Sequence, residues 1–134
     1  MANELVKKYQ TEITQAIINA VKSTHSCVLF YRDIYYELQK MFDDEDTFRS
    51  VESALWETLD GLRLGDIVLH KIYVDPEESF HEIVVVTFNK ELTEEQLHVL
   101  REVASLFSAD FYDRTEIYTV LHNLVRLWTG CNTE

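Results

Sequence analysis

A mostly helical α+β fold is predicted by three observations. Apolar side chains recur at three- and four-residue spacing along several segments, as a helix with one buried face requires. Between residues 67 and 88, two runs rich in β-branched and aromatic residues flank Asp75-Pro76-Glu77-Glu78-Ser79, a turn whose proline is preset for the bend. The 134 residues contain only three glycines and one proline, which favours long helices over a turn-rich β architecture. The length fits a single domain, residues 1–134. With 46% hydrophobic residues the chain can bury one core, removing roughly two-thirds of the surface its unfolded form exposes.

Residues 2–23 place Leu5, Tyr9, Ile13, Ala16, Ile17, Ala20 and Val21 on one helical face. This is the one segment that is not acidic, since Lys7, Lys8 and Lys22 outnumber Glu4 and Glu12. The short apolar run Cys27-Val28-Leu29-Phe30 fits either a strand or the lead-in to a helix, and four residues are too few for periodicity to decide. A second helix is predicted from near Asp33, with Ile34, Leu38 and Met41 on its inner face. Asp43-Asp44-Glu45-Asp46 then suits a helix N-terminus, where carboxylates satisfy orphan N–H groups and the macrodipole. Phe48, Val51, Leu55, Leu59 and Leu62 mark the buried face of that third helix, which Gly61 and Gly65 bracket at its end. The hairpin follows, with strands over 67–74 and 80–88. Thr93 and Gln96 then form a capping box and Leu92 with Leu97 a staple, starting a helix that buries Leu97, Leu100, Ala104 and Phe107. Asp113 caps a last helix that buries Ile117, Leu121 (or Val120), Leu124 and Trp128 and stops at Gly130.

In element order, residues 27–88 resemble a winged helix-turn-helix: helix, helix, then a two-stranded hairpin. With flanking helices at about 2–23 and 93–129, the layout is similar to that of regulators of the MarR and PadR type. The resemblance implies that the helix after Asp44 is the one that reads DNA, and that the chain forms a homodimer through its terminal helices. The broad apolar stripe of residues 2–23 and the apolar residues Val120, Leu121, Leu124, Val125, Leu127 and Trp128 fit that use.

The charge has the wrong sign for DNA. Between Asp43 and Asp60 the acids are Asp43, Asp44, Glu45, Asp46, Glu52, Glu57 and Asp60, against the single base Arg49. Phosphate contact needs lysine or arginine, and specific binders engage several phosphates. The whole chain carries a net charge of −12, from 24 acids and 12 bases. Such a balance repels nucleic acid and anionic membranes and attracts basic surfaces.

No enzyme is indicated, and no catalytic residue, cofactor or metal is expected. Consecutive carboxylates at 43–46 lack the alternation and the glycine bend of a calcium loop. His25, His70, His81, His98 and His122 form no metal-binding spacing. Cys27 and Cys131 match no metal or redox motif, and are expected to be two reduced thiols rather than a disulfide. There is no glycine-rich phosphate loop and no nucleophile-elbow motif around Ser26 or Ser50. The N-terminus lacks a signal-like apolar run, and no window reaches the ~20 apolar residues of a membrane span, so a cytoplasmic location is expected.

The leading expectation is a non-enzymatic acidic interaction protein, whose carboxylates imitate nucleic acid and occupy a basic, nucleic-acid-binding groove on another protein. It resembles in type the small acidic inhibitors of phages and mobile elements, including anti-CRISPR and anti-restriction proteins. The partner-binding candidates are Asp43, Asp44, Glu45, Asp46, Glu52 and Glu57, with Asp75, Glu77 and Glu78 at the wing. The first alternative is a dimeric transcriptional regulator touching DNA through Arg32, Lys40, Arg49, Arg63 and Lys71. The second is an acidic secretion-type chaperone, although those need more strand than one hairpin.

Overall fold

The computed structural model describes residues 2–74, 81–108 and 113–131, and over them the chain is α+β and mostly helical. The predicted first helix is two: α1 (Ala2–Lys8) and α2 (Gln10–Thr24) meet at Tyr9, whose φ of −108° and ψ of 25° leave the helical region. The break is a bend and not a stop, because Tyr9 N–H still reaches the Leu5 carbonyl and Ile13 N–H the Tyr9 carbonyl, both at 3.0 Å. Through this bend α1 packs on α4 (Glu45–Thr58) while α2 packs on α3 (Tyr31–Gln39). The apolar stripe of residues 2–23 is thereby covered within the chain, with Val6, Ile13, Ala16, Ile17, Ala20 and Val21 all buried.

The ambiguous run resolves as strand β1 (Val28–Phe30), and α3 begins directly after it, two residues earlier than expected. Asp33 is therefore inside the first turn and not ahead of it. Its Oδ2 accepts the Phe30 N–H at 3.2 Å, so the carboxylate reaches back over the helix start. After α4 come β2 (Arg63–Leu64), β3 (Ile67–Tyr73) and β4 (Ile83–Phe88). The predicted turn, with Asp75, Glu77 and Glu78, and the predicted strand start at Phe80 lie outside the described residues. Helix α5 (Glu94–Ala104) carries the expected box, with Gln96 N–H on Thr93 Oγ1 at 3.1 Å and Thr93 N–H on Gln96 Oε1 at 2.9 Å. A 3₁₀ turn (Ser105–Ser108) buries Phe107, and α6 (Arg114–Thr129) starts on the Asp113 cap and ends at Gly130 in the left-handed conformation. Within α6 the inward residues are Ile117, Leu121 and Val125; Val120 faces out.

The strands form one antiparallel sheet in the order β1-β4-β3-β2. Its register pairs Val28 with Val85, Phe30 with Ile83, and Leu69 with Val86. The pairing of Leu64 with Ile67 makes a second, very tight hairpin whose two-residue loop opens with Gly65 at φ +63°, the conformation that glycine supplies at the first loop position. β4 is buried at every position from Ile83 to Thr87 because both sheet faces are packed. On one, Lys71 meets Trp56 of α4; on the other, Phe30 and Tyr73 meet Phe107, and Phe30 also meets Tyr118 of α6. Such a strand reads as an unbroken apolar run and not as an alternation.

Cys27 and Cys131, expected as free thiols, are joined in a disulfide across 104 residues, with Cα atoms 6.6 Å apart. Their distance in sequence hid the pairing. α6 runs back along β1, tied by the Tyr118 hydroxyl on the Val28 carbonyl (2.7 Å) and by His122 Nδ1 beside Ser26 Oγ (2.8 Å). The left-handed turn at Gly130 then delivers Cys131 to the start of the strand. Among the described residues, no helix is long and apolar enough to cross a membrane.

Candidate interaction surface

α4 is amphipathic: Phe48, Val51, Ala54 and Leu55 are buried and its carboxylates divide into three kinds. Asp44 is the N-cap. Its side chain accepts the N–H groups of Asp46 and Thr47, and the Thr47 hydroxyl, first among these influences, holds its carboxyl below the usual range. Glu45 and Glu52 are engaged by neighbours: Glu45 binds Arg49 at 2.9 Å on the open surface, while half-buried Glu52 accepts the Tyr31 hydroxyl at 2.7 Å. Asp43, Asp46 and Glu57 are exposed and make no ion pair with any described residue. α1 lies along the flank of α4, so Glu57 shares an open groove with Glu4, Leu5, Lys8, Ser50 and Ser53.

The five cations offered for DNA contact are each occupied within the chain. Lys40 pairs with Glu37 at 3.0 Å, Arg49 with Glu45, and Arg63 with Glu91. Arg32 lies over the Phe30 ring at 4.9 Å. Lys71 is the most committed: its side chain is 18% exposed, its Nζ sits 3.7 Å from the Trp56 ring centroid and 3.6 Å from Glu82 Oε1. Exposed pairs such as Arg49 with Glu45 are weak and could exchange for phosphate; Lys71 could not leave without exposing a buried carboxylate.

Lys71 belongs to a polar network that sequence reasoning missed. Buried Tyr31 donates its N–H to the Glu82 carbonyl at 2.8 Å and its hydroxyl to Glu52, and its ring meets Trp56 edge-on at 5.1 Å. Burial, followed by the Glu52 hydrogen bond, pushes the Tyr31 hydroxyl far above its ordinary range, so it is a permanent donor and not a base. Glu82 itself is 2% exposed. The available signal was a charged residue at the mouth of an unbroken apolar strand, a place where a carboxylate needs a built-in partner.

The histidines are scattered. His98 pairs with Glu102 at 2.9 Å on the surface, His25 ends α2, and His70 lies 3.8 Å from Asp60. Burial pulls His70 below its ordinary range despite Asp60. The close pair Ser26–His122 is no nucleophile, because Ser26 is 2% exposed and its oxygen also accepts the Val28 N–H at 3.0 Å. Among the described residues, no group of three metal-ligating side chains comes together. Comparison with protein-family models, with curated proteins and with solved structures finds no match to this chain.

Proposed function

We propose that the protein is a non-enzymatic acidic interaction module of winged-helix type, which presents α4 to a basic, nucleic-acid-binding groove of another protein. The observation that carries this reading is the outer surface of α4, where Asp43, Asp46 and Glu57 make no ion pair with a described residue while the helix's single base, Arg49, is held by Glu45. Support for the winged-helix part comes from chain order: β1 precedes α3 and α4, the β3–β4 hairpin follows them, and β1 closes the sheet on β4. In that arrangement α4 occupies the place of a DNA-reading helix. Its acids make it a surrogate for phosphates, the profile of phage and mobile-element inhibitors of the anti-CRISPR and anti-restriction kind. Asp44 and Glu52 contribute charge from fixed positions, so the residues that a partner meets most freely are Asp43, Asp46 and Glu57, with Glu45 beside them in a weak, exposed pair with Arg49. Asp75, Glu77 and Glu78 extend the proposed surface by sequence alone.

The homodimer, also a proposal, has little left to use on residues 2–23, which α3 and α4 cover. It rests on the outer face of α6, where Val120 and Leu127 are exposed, Leu127 at 77%. Light scattering at tens of micromolar should give twice 15.8 kDa; the monomer mass would remove the dimer from the proposal. Cytoplasmic action is part of the same reading.

The test is a four-site reversal, Asp43→Lys, Glu45→Lys, Asp46→Lys and Glu57→Lys, in affinity capture from the native host. Loss of a basic nuclease or polymerase with the fold intact is the expected result. Unchanged capture, or binding of duplex DNA by the parent chain at about 0.15 M ionic strength with affinity falling as salt rises, would favour the regulator instead.

A further inference from the structure

A cavity of about 290 Å³ opens where β1 passes into α3, beside the end of β3, the 3₁₀ turn and the start of α6. Its walls are aromatic. Phe30 and Tyr118 stack at 5.7 Å, Phe107 meets Phe30 edge-on at 6.4 Å, and Tyr73 tilts against Phe107 at 5.4 Å. Two guanidinium groups, with His81 and Thr115, complete it. Arg32 lies over Phe30, and Arg114 donates its Nε–H to the Phe107 carbonyl at 3.1 Å, 6.0 Å from that ring.

These arginines differ from three of the other four in the chain. Arg49, Arg63 and Arg101 each hold a carboxylate, whereas neither Arg32 nor Arg114 makes an ion pair with a described residue. The nearest acid on the same helix as Arg32, Asp33, turns its oxygen to the Phe30 N–H. In a chain of net charge −12, one cavity thus gathers two guanidinium groups against apolar rings, neither in an ion pair with a described residue, although the Asp33 carboxylate lies near Arg32 and Tyr118. Anchoring Arg114 through Nε leaves its terminal amino groups for a planar two-oxygen acceptor, the geometry in which arginine binds carboxylate or phosphate best. The rings offer faces and edges to a flat partner. The volume is at the low end for ligand pockets, enough for one ring system with its acid group and not for an extended chain.

We propose that this cavity binds a small planar aromatic anion, its ring against Phe30, Phe107 and Tyr118 and its acid group between Arg32 and Arg114. The acid can be a carboxylate or a phosphate, and the experiment separates them. Calorimetric titration of the full chain at about 0.15 M ionic strength uses 4-hydroxybenzoate, adenosine 5′-monophosphate and inorganic phosphate. At least one ring-bearing anion should bind with one-to-one stoichiometry and inorganic phosphate at least about tenfold more weakly, since it lacks the ring contribution. Whichever ring compound binds more tightly identifies the acid group. The double variant Arg32→Gln, Arg114→Gln should weaken binding about tenfold or more by removing the charge-assisted contacts. Thr115→Trp, at an exposed position on the rim, should abolish it by filling the space, with both variants still folded as read by far-ultraviolet circular dichroism. Absence of binding by both ring compounds at millimolar concentration would overturn the proposal. So would phosphate binding as tightly as they do, or binding that survives both sets of substitutions. The site is independent of the acidic surface: reversing Asp43, Glu45, Asp46 and Glu57 should leave its affinity unchanged, so either reading can fail alone.

Discussion

Asp44 shows how one residue carries two meanings. Its charge counts toward the acidic surface, yet its oxygens are spent on the N–H groups of Asp46 and Thr47. Asp44→Ala should lower unfolding free energy by about 1 kcal/mol, the usual worth of an N-cap, as read by urea denaturation. Asp44→Asn keeps a capping oxygen and removes the charge, so it should hold stability and test partner binding cleanly. His70 gives a pH prediction. Its folded value is depressed below 6.5, chiefly by burial, so the unfolded chain binds the proton more readily. The neutral ring contributes stability above pH 6.5, and that contribution is lost as pH falls through the folded value. Melting temperature should therefore fall less steeply below pH 6.5 in His70→Gln than in the parent; equal slopes would show that His70 is not the group responsible. At this scale the caps at Asp44, Thr93 and Asp113 were legible because capping is local chemistry. The Tyr31–Glu52 bond was not, since it joins residues 21 apart whose meeting depends on how α3 and α4 cross.

Elements were legible where their own pattern sufficed. α5 and α6 carry their start signals within a few residues, and α4 its buried stripe. The bend at Tyr9 was invisible because the apolar spacing of residues 2–23 continues through it; only the presence of α4 beside α1 explains why the chain turns. β2 escaped because two residues carry no period, although Gly65 marked its turn. The sheet's two-sided packing makes its middle intolerant. Leu29→Ala, at a fully buried position of β1, should cost about 2–5 kcal/mol, measured by denaturant titration. The cystine that pins the end of α6 to the start of β1 closes a loop of 104 residues. In a chain-entropy account that length is worth up to about 4.7 kcal/mol, so Cys131→Ser should lower the urea midpoint substantially, and added reductant should reproduce the shift in the parent protein and not in the variant.

For the whole molecule, charge and fold class were legible from composition, because a net −12 and a scarcity of glycine and proline need no geometry to interpret. What composition could not give is distribution. Five of the twelve cations pair with described acids, and Arg32 and Arg114, 82 positions apart by number, share one cavity. In the proposed function α4 meets a basic groove through Asp43, Glu45, Asp46 and Glu57. The most direct measurement is competition: the captured host protein is titrated with duplex DNA at about 0.15 M ionic strength, and release of the parent chain is compared with release of the four-site reversal. DNA should displace the parent chain, and the reversed variant should not bind. A complex that withstands saturating DNA, or forms equally well with the four acids reversed, would contradict it.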